Sequence, residues 1–110
     1  MSKMTQPGKT RYGFLLLPKF TMISVSACLE PLRMANRIRG QLLYEHLLFS
    51  LDGKPVVASN GLSLHPVRSL KPDEPIDVLF ICGGISHDRT WESALITQLK
   101  PLIRRKVVIG

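Results

Sequence analysis

Three short apolar runs, each stopped by proline or glycine, constrain this chain more than any other feature. Residues 14–17 (FLLL) are closed by Pro18, Val78–Cys82 by Gly83-Gly84, and residues 107–109 by Gly110. None alternates apolar with polar positions, as a strand with one face in water would. An unbroken run of this length suits a strand covered on both faces, the usual situation in a parallel sheet. Between the runs the period changes. From Met22–Arg39, Val25, Cys28, Leu29, Leu32, Ala35 and Ile38 fall on one helical stripe, with Glu30, Arg33, Arg37 and Arg39 mostly outside it. Gly40 is placed to end that helix. Pro31 sits inside it, so the helix is either kinked there or begins there.

A second strand is expected in YEHLLFSLDG (44–53), ending on the Asp52-Gly53 turn. PVVAS (55–59) and LSLHPV (62–67) flank Asn60-Gly61, a strong hairpin dipeptide. KPDEP (71–75) reads as a loop, with Asp73 and Glu74 as solvated charge. Residues 91–105 are helical again, with Leu95, Leu99, Leu102 and Ile103 on one face and Pro101 as a flaw. The order strand, helix, strand, hairpin, strand, helix, strand predicts an α/β fold: an open, mostly parallel sheet with helices on both faces. The hairpin is expected as an added antiparallel edge.

A chain of 110 residues, 45% apolar, is about one domain with a real core. Residues 1–12 read as a disordered basic tail; the apolar run behind them is too short for a secretory signal, and no run reaches the roughly 18–20 residues that span a bilayer. Cys28 and Cys82 make no disulfide framework and read as reduced thiols of a cytoplasmic protein. No ligand spacing for a metal is present, and no phosphate-binding glycine loop, so no cofactor is expected. The net charge of +7 raises nucleic acid as a partner. The basic residues are scattered, though, and no aromatic residue interleaves with them, which favours a solvated basic surface.

In open α/β sheets ligands bind beyond the carboxyl ends of the strands. That directs attention to PKFTM (18–22), to CGG (82–84), and to whatever follows Gly110. Gly83 and Gly84 would let backbone approach a ligand or bare its amides, although tight packing explains such a pair equally well. Cys82 with His87 allows a thiol–imidazole dyad, with Asp88 as the nearest orienting acid. Cys82 continues an apolar strand, however, and buried cysteine is the commoner reading. His46 and His65 lie in strand patterns and read as surface or satisfied residues.

FLLLPKFTMISVSACLEPLRMANR, LDGKPVVASNGLSL and DVLFICGG together resemble the N-terminal domain of a group of AraC-type transcriptional regulators. That domain is related to class I glutamine amidotransferases and to the PfpI family, a flavodoxin-like fold, and the resemblance covers residues 12–110. It implies that residues 13–110 are the N-terminal portion of an amidotransferase-like ligand-sensing domain. In this superfamily the strand matching VVIG runs into a nucleophile elbow. The resemblance therefore implies that the elbow, the rest of the α/β domain and a C-terminal pair of helix-turn-helix motifs lie beyond Gly110. Enzymatic relatives carry a glutamate shortly after the first strand, where Thr21 stands here, and a hydroxyl cannot serve as a carboxylate proton partner near neutral pH. No catalytic residue is thus expected.

The implied function is effector sensing and dimerisation, with an amino acid or a quaternary amine as effector, held by Phe20, Thr21, Gly83 and Gly84. An amine cation would want an aromatic face or a carboxylate, and Phe20 and Trp91 are the aromatic candidates. DNA would be read only through the C-terminal domain absent from this chain. The alternative is part of a PfpI-type cysteine amidase, protease or deglycase. A chain cut at a central strand leaves an unpaired edge, so homodimers or larger self-association are expected.

Overall fold

A computed structural model describes residues 9–65, 67–84 and 90–110. Five strands form one sheet: β1 (Thr10–Leu16), β2 (Tyr44–Ser50), β3 (Arg68–Ser69), β4 (Val78–Cys82) and β5 (Val108–Ile109), in the order β3-β2-β1-β4-β5. Every pairing is parallel. β1 is central, with Leu15 beside Phe49 of β2 on one side and beside Ile81 of β4 on the other. This accounts for its unbroken apolar run, because Phe14, Leu15 and Leu16 are all fully buried.

The run serves two layers at once. Phe14 and Leu16 point with Phe20, Val25, Ala58 and Cys82 into one core, covered by α1 (Met22–Arg39). Leu15 and Leu17 join Phe49, Leu70, Ile76, Leu79 and Leu102 in the other, covered by α2 (Glu92–Arg104). The helices thus lie on opposite faces, as expected. Phe14 stacks on Phe80 at 5.4 Å and Tyr12 stacks on the same ring at 6.0 Å, so aromatic contacts knit β1 to β4.

α1 starts at Met22 and runs through Pro31. Pro31 lies on the exposed side, where the carbonyl of Ala27 that loses its partner is reached by water. Gly40 ends the helix at φ 69°. Asn36 then fastens that end to β2, its Nδ2 donating to Tyr44 O at 2.8 Å and its Oδ1 accepting from the amides of Leu43 and Tyr44. The stripe expected on each helix is one residue too wide: Ile38 is 77% and Ile103 57% exposed. Ile38 sits at the end of α1, and Ile103 points away from the sheet while its neighbour Leu102 is fully buried in the core.

Four further expectations change. β1 begins at Thr10, so residues 10–12 belong to the sheet and not to the tail; Arg11 pairs with Glu45 at 2.8 Å, and its amide donates to Asp77 Oδ2 at 2.8 Å. Residues 1–8 lie outside the described residues. The Asn60-Gly61 turn forms, with Gly61 N–H donating to Ala58 O, but it carries a single antiparallel bridge, Val57 to Ser63. The hairpin is not an edge of the sheet. It folds across the end of β1, where Lys19 N–H donates to Val57 O and Ser59 N–H to Phe20 O, and the edge position is taken by β3. Finally, Glu74 is buried rather than solvated, held by Arg68 Nη2 at 2.5 Å and by the amide of Lys71.

Candidate functional site at the carboxyl ends of the strands

The sheet order reverses at β1: the chain passes from β1 to β2 on one side and returns to β4 on the other. A crevice is expected at such a switch point, beyond the carboxyl ends of β1 and β4. Here that junction is closed by backbone. Leu17 N–H donates to Cys82 O at 3.0 Å, and Thr21 N–H to Gly83 O at 3.1 Å. Gly84 packs against the Lys19 carbonyl so closely that a Cβ on it would lie inside contact distance of that oxygen. The same position would place the Cβ 3.4 Å from Phe20 Cα. Gly83 is different, since a Cβ there would meet only Leu17 Cδ1, at an ordinary 3.8 Å.

The four residues expected to hold a ligand therefore part company. Thr21 and Gly83 are brought together, and the Thr21 side chain makes no capping hydrogen bond although it opens α1, which leaves its hydroxyl available. Gly84 is consumed in packing. Phe20 is fully enclosed in the α1-side core and cannot present a face to a ligand.

The open space lies on the other side of β1. A cleft of about 550 Å³ sits above the carboxyl ends of β1 and β2, walled by Leu16, Leu51, Val56 and Trp91, with Lys19 and Asp52 as its charged residues. A volume of this size suits a small organic ligand. Trp91 and Leu51 belong to the α2-side core and Leu16 and Val56 to the α1-side core, so the cleft straddles the top edge of the sheet. Asp52 Oδ1 accepts from Lys54 N–H at 3.0 Å, which fixes the carboxylate in its turn. Gln98 Nε2 donates to Leu51 O at 2.8 Å and ties α2 to the end of β2. Among the described residues two buried polar atoms lack partners, Trp91 Nε1 just before α2 and Gln98 Oε1 on it.

Sequence reading singled out Trp91 but took Asp52 as turn chemistry and passed over Lys19. The signal that finds them is register. β1 pairs with β2 at an offset that sets Leu15 beside Phe49. Carried three residues further, it sets Pro18 beside Asp52, so the two loops that follow these strands must face one cleft.

Cys82 continues the apolar strand as a core residue. Its side chain is buried beneath the closed junction, and desolvation, with a smaller contribution from Cys28, pushes its thiol up to about 11. His87 and Asp88, its suggested partners, lie outside the described residues. His46 and His65 are exposed and flank a separate groove with Arg68. Among the described residues no three of His, Cys, Asp or Glu gather as a metal site, and no helix is long and apolar enough to cross a membrane.

No family model matches the chain. It is 40% identical over 98 residues to the HTH-type transcriptional regulator GbdR of Pseudomonas aeruginosa, an overlap of 89% of this chain and 27% of that protein. CdhR of the same organism is 40% identical over 99 residues (90% and 29%), and GlxA of Rhizobium meliloti 36% over 101 residues (91% and 31%). The chain thus spans less than a third of the length of these relatives. Among solved structures, an AraC family transcriptional regulator from Pseudomonas putida superposes with a TM-score of 0.80 at 27% identity, over 92% of this chain and 54% of that one. A DJ-1 superfamily protein from Agrobacterium tumefaciens gives 0.57 at 28% identity, over 91% and 51%. The strand order centred on β1 and these matches agree: over nearly its whole length the chain is similar to the N-terminal, DJ-1/PfpI-like part of AraC-type transcriptional regulators.

Proposed function

We propose that this chain is the effector-sensing and dimerising part of a cytoplasmic AraC-type regulator, without catalytic activity, whose DNA-reading domain is a separate one. The observation that carries the reading is the 40% identity over 98 residues to proteins named as transcriptional regulators. Two features of the chain support a non-catalytic role. Thr21 stands where enzymatic relatives would place a carboxylate, and Cys82 is held as a buried, neutral thiol.

The effector we propose is an amino acid or a quaternary amine. A cation of that kind is held by an aromatic face and a carboxylate, and the cleft supplies both in Trp91 and Asp52. Thr21 and the Gly83 backbone lie across the β1–α1 loop and would take the more polar end of a larger ligand. Effector binding would then shift the balance between two arrangements of a dimer, and with it the spacing of the DNA-reading domains.

The test is a titration of the chain with a panel of amino acids and quaternary amines, read by thermal denaturation. A concentration-dependent rise in Tm for one class, as mass action requires, supports the sensor. Turnover of an amide or ester substrate that disappears on alkylating Cys82 would overturn it in favour of a cysteine hydrolase.

A further inference from the structure

We infer that Lys19 is a specificity-determining residue of the cleft, holding the carboxylate of an effector whose cationic end lies against Trp91 and Asp52. This rests on reading the cleft as the effector site. Three observations meet at this residue.

The first is charge. Lys19 and Asp52 line the same, mostly apolar cleft, and neither has an ion pair among the described residues, with each other or with any other side chain. Opposite charges that face one small cavity without neutralising each other are complementary to a ligand that carries both signs.

The second is backbone conformation. Lys19 adopts φ 60°, in the left-handed region that a side chain disfavours and glycine adopts freely. Among the described residues Lys106 is the other positive-φ residue that is not glycine, and it has a structural cause: it ends α2, with its N–H donating to Ile103 O and that of Val107 to Leu102 O. Lys19 ends no helix. Its conformation is fixed from both sides, by its own N–H on Val57 O and by its carbonyl wedged against Gly84. A turn that would be more stable with glycine, yet carries a lysine at the mouth of a cavity, is strain kept for what the side chain does.

The third is the neighbouring ring. Trp91 contributes a wall of the cleft, and its Nε1–H is buried with no acceptor among the described residues. A buried unpaired donor is costly, so a ligand acceptor that draws the ring round to meet it is rewarded. The carboxylate oxygens next to Lys19 are such acceptors.

Trp91 is the only tryptophan in the chain, so its fluorescence reports the cleft directly. The experiment compares two probe pairs that differ in the carboxylate: glycine betaine against choline, and leucine against leucinamide. In the unaltered chain at least one carboxylate-bearing member should change the fluorescence and bind about tenfold or more tightly than its partner, as expected for a charged hydrogen bond. In Lys19→Gly that preference should fall to about one, while Tm stays level or rises because glycine relieves the turn; Lys19→Arg should restore most of the preference. A Lys19→Gly chain that keeps the preference overturns the inference. If both members of a pair bind equally well to the unaltered chain, the cleft stands as the sensor site and Lys19 loses its role. If none of the four probes is felt by Trp91, the cleft is not the sensor site, and the inference fails with that reading.

Discussion

The two junctions that flank β1 at the carboxyl end of the sheet are built from the same material and end in opposite states. Toward β4, three loop amides find backbone acceptors: Leu17 on Cys82, Phe20 on Leu17 and Thr21 on Gly83. Gly84 lets two loops touch with no side chain between them. Toward β2, the loops diverge around a cleft in which Lys19 and Asp52 form no ion pair and Trp91 Nε1 has no acceptor among the described residues. In a doubly wound sheet the order reversal promises a crevice at the first junction. Glycine spends that crevice on packing, and the free volume moves one strand over. Where free volume opens along this sheet edge is thus set by which loop pair closes, and only then by topology.

That contrast can be broken most forcefully at Phe20. If the closed junction is core, Phe20→Ala should cost about 4 kcal/mol of stability, the usual loss for a fully enclosed phenylalanine, as measured by urea denaturation. If instead the ring served a ligand, stability would hold and only binding would suffer. The glycine pair gives the next largest effect. Gly84→Ala forces a Cβ into the Lys19 carbonyl and should cost about 3 kcal/mol, since backbone and not a side-chain tip must yield. Gly83→Ala meets an ordinary contact and should cost under about 1 kcal/mol. Equal costs at the two positions would mean that the junction is looser than the hydrogen bonds indicate.

What sequence alone could supply follows from these residues. The layers were legible because burial on both faces of β1 and β4 forces unbroken apolar runs, and because Val25, Leu29 and Leu32, like Leu95, Leu99 and Leu102, repeat with the helical period. The hairpin was legible as a turn but misplaced, since Asn60-Gly61 specifies the reversal and says nothing of what the flanking strands pair with. Glu74 was misread for the same reason: its partner Arg68 comes to it through the β2–β3 edge, which the local composition of KPDEP does not encode. Phe20 looked like a ligand contact because it follows the strand; its burial depends on Ala58 and Val25, each from another element. The cleft is the hardest feature to foresee, because Lys19, Asp52 and Trp91 meet only through strand register and the docking of α2.

Cys82 sharpens the comparison from beneath. With its thiol raised from the ordinary 9.0 to about 11, the folded chain favours the neutral form more than the unfolded chain does. The stabilisation this confers is complete below about pH 9 and is lost as pH rises through 11, amounting to no more than about 3 kcal/mol. Cys82→Ala should flatten that alkaline decline relative to the unaltered chain in denaturation series at pH 8, 9, 10 and 11. The half-buried Cys28 should also be alkylated well before Cys82 at neutral pH. Equal rates would show the closed junction opening on the timescale of the reaction.

The smallest effect separates strain that ends a helix from strain that serves a site. Lys106 and Lys19 share a left-handed backbone, at φ 63° and 60°. Lys106 is exposed beside the end of α2, where glycine is the favoured residue, so Lys106→Gly should raise stability by about 0.5–1 kcal/mol, a net of relieved strain against the larger freedom of glycine in the unfolded chain. It should leave every ligand response untouched. Lys19→Gly relieves the same backbone conformation and should show a gain of the same size in chemical denaturation. The two variants therefore match in stability and differ only in what Trp91 reports. Should Lys19→Gly instead destabilise the chain while Lys106→Gly stabilises it, the lysine side chain at 19 would be packing the cleft wall, and the open junction would owe its shape to Lys19 as much as to Trp91.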